Sequence, residues 1–463
     1  MKKNITKILA LFISAFMLVG ATACAGKTDK NNGSETVITF WNPITGHDSG
    51  YMDQLITDFN KEYKGTYRVN SDAQAEASHY QRITTSMTDN SVADLTLVHK
   101  SRLPNYVKNN ILRDITSLVG EIDLKSADYV GDTWTSCEFD GKMYAAPLDV
   151  LPTVLYYNRK LFPAGKETEW ENKILSDDFT VDEMLDMMME VAKVDGPASQ
   201  KIYGMSFNYS YTEPMFLTFL NQLGSQAVDV SNPTEPTFAN ENGYLAARTV
   251  MNIPYATKTD KNNTVRLGQK DTGYNTMGYI CSDSGSDHMN NFTQGRALFT
   301  MDGIWSAPDA CKKTTKVDAG VALMPKINAS ANRVVSSDGH VFAIFNAAKS
   351  PSEAKDKAIV AFVKYVIEHS GYWCEGGKVA ARQDTTNNTD YMNLEWGYLS
   401  NNLDKIISPV KVYTYKVITE PIGQYVAELC EGVNSKGTKL GYDDVKSQVD
   451  QAAEYARQQA RAI

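Results

Sequence analysis

The sequence predicts an α/β protein of two lobes, each built on a mainly parallel sheet flanked by helices. Short apolar runs that read as buried strands alternate with amphipathic stretches of helical period, the pattern of βαβ units. Of the 463 residues, a leader of 23 leaves 440 for folding, more than one core sustains and comfortable for two domains of roughly 150 to 250 residues each. In such sheets ligands bind beyond the carboxyl ends of the strands, so the loops there are the first place to look for function.

Residues 1–23 read as an export signal. Lys2, Lys3 and Lys7 form a positive start, Ile8 to Gly20 an uncharged apolar run, and Ala21-Thr22-Ala23 the small residues that cleavage needs. A spanning helix takes about 20 apolar residues, and this run is shorter. Cys24 follows, and the segment resembles a bacterial lipobox, with Ala21 where that motif usually has Leu. The resemblance implies a diacylglycerol on the Cys24 thiol and a protein held by lipid on the outer face of a cell membrane. A single-membrane, Gram-positive-type surface fits best, because its soluble binders would otherwise be lost. Residues 24–35 are the anchored, polar, aperiodic tether.

Loss of the leader's three lysines takes the formal charge from −9 to −12, which argues against nucleic acid, whose affinity comes from Lys and Arg neutralising phosphates. With Cys24 acylated, Cys137, Cys281, Cys311, Cys374 and Cys430 remain, an odd set without a CxxC pair. Buried free thiols are the favoured reading, with a Cys281–Cys311 or Cys374–Cys430 bridge the alternative.

Val37 to Trp41 is a short buried-strand run stopped by Asn42-Pro43. Met52, Leu55, Ile56, Phe59 and Tyr63 then recur at helical spacing, opposite Asp53, Asp58, Lys61 and Glu62. Tyr67 to Val69 reads as a strand, Tyr80 to Met87 as a helix and Ala93 to Val98 as a third strand. Asp444 to Ala460 carries Val445, Val449, Ala452, Ala453 and Ala456 on one face, a closing helix that docks on a lobe. The strand-end rule nominates Trp41-Asn42, Ala75-Glu76-Ala77 and His99-Lys100-Ser101-Arg102, and later Met301 to Trp305 and Ser336 to His340.

Ile38 to Trp41, Leu55 to Tyr63, Gly141 to Pro147 leading into Leu155 to Phe162, Phe292 to Trp305 and Ala354 to Ile367 occur in an order and spacing that resembles the solute-binding proteins of ABC importers, specifically the sugar-binding, maltodextrin-binder-like family. The resemblance implies a type II periplasmic-binding-protein-like fold whose lobes are joined by crossing strands, here near Pro147 to Thr153 and Leu323 to Lys326. One lobe would comprise 35–149 and 326–367, the other 150–325 and 368–463. It implies recognition without catalysis, with no cofactor or metal: a monomer captures a carbohydrate, an oligosaccharide, in the interlobe cleft and delivers it to the membrane permease. Ligand closes such lobes about their hinge.

Trp41 offers a sugar an apolar face and an indole donor, against a competing role in packing; Asn42 adjoins it. Trp305, after Asp302-Gly303, matches the family's Gly-x-Trp segment. Glu213-Pro214-Met215-Phe216 resembles the segment that supplies acidic and aromatic cleft groups, while helix capping is the competing role for Glu213. Carboxylates accept strong hydrogen bonds from hydroxyls, which adds Glu76, Asp149 and Asp302. Ser101 belongs to the third nominated loop, and Asp338-Gly339 is a turn whose amides can face the cleft. Arg382 would clamp a carboxylate of an acidic sugar, against a competing structural ion pair. Asp260 to Thr264 begins like a calcium loop, but Val265 stands where that loop needs Gly. Two rivals stay open: a glycosidase using a carboxylate pair, and a peptide, polyol or cationic ligand on the same fold.

Overall fold

The computed structural model describes residues 35–193, 197–255, 257–260, 263–266, 281–283 and 288–463. The leader, Cys24 and the tether up to residue 34 lie outside the described residues, as do Lys261 and Asn262 of the segment weighed as a calcium loop. The flanks of that segment form a hairpin in which Asp260 pairs with Asn263.

Strands β1 (Thr36–Asn42), β2 (Tyr67–Ala73), β3 (Leu95–His99) and β4 (Ala145–Pro147) come first, with helices α1 (Ser49–Glu62) and α2 (Glu76–Ser86) among them. β5 (Asp149–Asn158), β6 (Tyr203–Phe207), β7 (Cys281–Asp283), β8 (Ala297–Gly303), β9 (Ala319–Leu323) and β10 (Val335–Asp338) follow, then β11 (His340–Ala343), β12 (Val379–Ala380) and β13 (Ile406–Ile407). The first sheet runs β2-β1-β3-β11-β4, parallel through β1, β2 and β3. The second runs β7-β6-β8-β5-β10-β13, with β9 and β12 also on β5. The two sheets carry separate cores.

α1 turns Met52, Leu55, Ile56 and Phe59 inward, as its spacing predicts. Phe59 meets Phe362 of the helix Glu353–Glu368 edge-on at 5.2 Å, and Phe362 meets Phe40 of β1 at 5.4 Å, so one aromatic cluster holds the two helices to each other and to the first sheet. Here α3 is Thr212–Gln222, α4 Glu353–Glu368, α5 Tyr415–Glu431 and α6 Val445–Ala460. α6 docks on the second core through the predicted face.

All ten residues of β5 are buried, and its neighbours change along its length from β12 to β10, β8 and β9. Only Leu148 separates β4, in the first sheet, from β5, in the second. The second crossing, expected near Leu323 to Lys326, lies instead at Gly339, between β10 in the second sheet and β11 in the first. Leu323, Met324, Ile327, Ala331 and Val335 all pack in the second core: the apolar run is an interior strand, and the crossing itself is polar. Residues after Ile367 also depart from expectation. Trp373 and Ala381 pack in the first core, Cys374 and Val379 in the second, so this stretch lies along the hinge rather than wholly in one lobe.

Cys137, Cys311, Cys374 and Cys430 are free thiols, so neither alternative bridge forms. Burial pushes the Cys137 and Cys311 thiols up to about 12.

Candidate functional site

A cavity of about 310 Å³ lies between the lobes. The first lobe supplies Glu76, which opens α2, and His99, which ends β3; the second supplies Tyr211, Glu213, Trp305, Tyr415 and Lys416. Leu151 and Thr153 of β5 and Ser336, Ser337 and Asp338 of β10 line it from the crossing strands. Because β1, β2 and β3 are parallel, the loops after them open at one edge, which is why Glu76 and His99 meet there.

Trp305 sits in a single turn after β8, its ring across Gly303: a Cβ on Gly303 would meet the ring at 2.1 Å. Gly303 has an ordinary φ of −67°, so the glycine provides room and not an unusual backbone. The Tyr211 ring lies 6.5 Å from Trp305, tilted 32°. Together they give the cavity an aromatic wall on which a saccharide's C–H face can lie. Beneath it, Asp302 is buried and bonded to His288 Nε2 at 2.9 Å, Ser306 Oγ at 2.9 Å and the Gly303 amide at 2.6 Å. Asp302 thus positions the Trp305 turn from behind and is no cavity residue. Burial and the Asp302 charge raise the Tyr211 hydroxyl far above the ordinary tyrosine value, keeping it a neutral donor.

Glu213 accepts from Thr419 Oγ1 at 2.8 Å and Lys416 Nζ at 3.1 Å, both on α5. Burial works against the Lys416 charge, but Glu213, Glu420 and Asp338 outweigh it and raise its pKa, so it stays cationic. Asp338 accepts from Ser101 Oγ at 2.5 Å and from the Ser101 and Gly339 amides. Ser101 is buried and acts by fixing Asp338, not by lining the cavity.

His99 Nδ1 is 2.7 Å from Tyr80 Oη, and Tyr80 Oη accepts the His99 amide. Both His99 contacts hold the ring to Tyr80, so Nδ1 is committed to the Tyr80 hydroxyl. Burial lowers the His99 pKa against the pull of Glu76, and His340, with rings 4.9 Å apart, lowers it further. Among the described residues, no group of three or more His, Cys, Asp or Glu could hold a metal.

Besides Asp302 and Ser101, five sequence candidates lie off the cavity for identifiable reasons. The Arg82 guanidinium, steered by Asp72, lies 3.9 Å over one face of the Trp41 ring, and Trp41 does not line the cavity. Asn42 is buried, its amide bonded to Ser71 Oγ and its oxygen to the Ile44 amide, so it shapes the loop after β1. Asp149 is buried against the His340 amide and Nδ1 and Trp373 Nε1, joining both crossings. Burial alone would raise its pKa; His340 and Lys378 more than offset that and lower it. Arg382 is bidentate to Asp384 and makes the structural ion pair. Gly339 also lies outside the cavity lining: a Cβ there would meet the Asp149 carbonyl at 2.4 Å, and its own carbonyl accepts the Lys100 amide. Glu76, Glu213, Trp305 and Asp338 remain as wall residues. Tyr211, Tyr415 and Lys416 also line the cavity without a local motif that nominates them; their sequence signal is the paired Tyr209-Ser210-Tyr211 and Tyr413-Thr414-Tyr415 just before apolar helices.

A family profile described as bacterial extracellular solute-binding protein matches residues 54–370. The diacetylchitobiose binding protein DasA of Streptomyces coelicolor is 29% identical over 163 residues, 34% of this chain and 37% of that protein, so the match spans little more than a third of the relative. The fold matches maltose-bound MalE3 of T. maritima with a TM-score of 0.70 and 15% identity over 90% of this chain and 99% of that one. It also matches UgpB of Mycobacterium tuberculosis in complex with glycerophosphocholine, TM-score 0.68 and 18% identity over 93% and 99%. At these identities the structural matches establish the two-lobe α/β fold.

Proposed function

The chain belongs to the bacterial extracellular solute-binding proteins, a family of binders and not of enzymes, and from that premise we propose that it captures a carbohydrate, an oligosaccharide, in the interlobe cavity and delivers it to the permease of an ABC importer. The observation that carries the sugar is the wall itself. Trp305 and Tyr211 offer an aromatic face, while Glu76, Glu213 and Asp338 offer carboxylates that accept from hydroxyls. Contacts come from both lobes, as they must if ligand is to favour closure. The sugar-binding relative and the maltose-bound neighbour support the same cargo.

The test is a thermal-shift screen of the purified protein against a broad glycan panel. A saccharide at 100 times its Kd should add about 2.7 kcal/mol of stability. No stabilisation by any glycan contradicts the reading. A solute carrying a quaternary ammonium group is the second reading, favoured by three carboxylates facing one lysine in the cavity and by the glycerophosphocholine-bound neighbour. Glycerophosphocholine in the same screen separates the two.

Tethering by lipid on Cys24 completes the proposal, since a surface-bound receptor stays beside its permease. Radiolabelled lipid should mark the wild type and not Cys24→Ser; label on both contradicts acylation there.

A further inference from the structure

Three of the chain's six histidines stand in one row. His79 and Tyr80 open it on α2 with rings 5.2 Å apart; Tyr80 is 6.0 Å from His99, at the end of β3, and His99 is 4.9 Å from His340, at the start of β11. His79 and His340 are buried, while His99 keeps 17% of its side chain exposed and lines the cavity. The row ends on the hinge. His340 follows Gly339 at the second crossing, and Asp149, just past the first, accepts from its amide at 2.7 Å and lies 2.9 Å from both its Nδ1 and Trp373 Nε1. One carboxylate thus ties the two crossings to the stretch after Ile367, and the imidazole it holds is the one that lies against His99.

Several elements bring charge to His99. α2 supplies Glu76 at 3.9 Å and the Tyr80 hydroxyl at 2.7 Å, and the turn after β3 supplies Arg102, 3.8 Å over the Tyr80 ring and 4.0 Å from Glu76. β10 supplies Asp338, β11 His340 and α5 Lys416. Two carboxylates stand against two cations, which leaves burial to decide, and burial holds His99 below the ordinary histidine value. Asp338 is fixed to Ser101, two residues from His99, and stays with it whether the lobes are open or shut. Lys416 belongs to the second lobe, so closure brings a cation to His99 and shuts out water, and both make a proton there harder to hold. The closed arrangement favours the neutral ring, and by linkage a proton on the ring favours the open arrangement. We propose that His99 is a proton gate on capture: neutral, it lets the lobes shut over ligand, and protonated, it opens them and lets ligand go. This rests on capture in the interlobe cavity, and the carbohydrate reading above supplies the probes.

The experiment is calorimetric titration of maltose and of diacetylchitobiose from pH 8 to pH 5.5, with wild type, His99→Asn and His99→Gln; both variants keep a polar group beside Tyr80 and neither titrates. Wild-type affinity should hold from pH 8 to 7 and fall by about threefold or more at pH 5.5, on a slope no steeper than about tenfold per pH unit, the limit for one proton. In the variants, whatever its value, affinity should stay level across the window. Small-angle scattering without ligand reads the gate by itself: wild type should have a larger radius of gyration at pH 5.5 than at pH 8, and the variants the same radius at both. A level wild-type affinity, or a fall that the variants share, overturns the gate and leaves the carbohydrate reading standing. Failure of both disaccharides and of the glycan panel to bind at any pH removes the carbohydrate reading, and scattering then decides the gate: a radius unchanged in wild type, or changed alike in the variants, overturns it.

Discussion

The Arg102 guanidinium, on the first lobe, donates to the Glu420 carboxylate, on the second, at 3.2 Å. It closes a chain of alternating charge along the cleft: Glu76 lies 4.0 Å from Arg102, Lys416 lies 3.7 Å from Glu420, and Glu213 lies 3.1 Å from Lys416. Neighbouring contacts join the same surfaces, with Lys100 Nζ on Ser408 Oγ at 2.6 Å, Asn105 on the Tyr413 carbonyl at 3.2 Å and Lys411 over the Phe139 ring at 4.0 Å. Contacts between lobes stabilise only the closed arrangement, so they add to ligand affinity without touching ligand.

Arg102→Gln should therefore weaken saccharide binding by up to about fivefold, the range for a half-exposed ion pair worth up to 1 kcal/mol. Salt should weaken wild-type binding modestly, through screening of this pair, and weaken the variant less. Titration calorimetry at low and high ionic strength reads both effects. Equal salt response in the two proteins would remove the pair from closure.

Gly303→Ala should displace the Trp305 ring, because the new methyl would meet it at 2.1 Å. The expected result is a shifted tryptophan emission and a loss of affinity of about tenfold. Unchanged emission and affinity would show that the ring does not need its place over Gly303.

Arg382→Ala should leave saccharide affinity within about twofold, since the guanidinium is committed to Asp384 and such pairs are worth little. A large loss would restore the acidic-sugar clamp.

Acid should destabilise the protein through His79. Burial, despite the Nε2 bond to the Leu97 carbonyl at 3.0 Å, lowers its pKa from 6.5 to about 4. The folded state holds it neutral while the unfolded state protonates it first, so its contribution is present above pH 6.5 and lost as pH falls toward 4. The full loss is about 3 kcal/mol. Denaturant unfolding of wild type and His79→Leu across that window should show a shallower pH slope in the variant. His99, lowered in the same direction, accounts for part of the slope that remains. Parallel slopes would contradict the assignment.

Much of the fold was legible because periodicity reports burial directly: the spacing from Met52 to Phe59 and from Val445 to Ala456 foretold the faces that pack. The second crossing was misread because apolar density marks a strand and not the sheet it joins; Leu323 is interior, and the crossing at Gly339 depends on room against Asp149. At the cavity, strand-end logic nominated Glu76 and Asp338 and family-like segments nominated Trp305 and Glu213, and all four line it. Trp41 stands at the right strand end but lies off the cavity with one ring face under Arg82, a contact between α2 and β1 that no local pattern encodes. Tyr415 and Lys416 reach the cavity from a helix some two hundred positions beyond Glu213, so only the folded chain brings them to it.

The most direct test of cleft capture is calorimetric titration of wild type and Trp305→Ala with the best saccharide from the glycan screen. The account predicts binding to wild type and at least a tenfold loss, about 1.4 kcal/mol, in the variant, with its ligand-free melting temperature close to that of wild type. Equal affinity in the two proteins would contradict it.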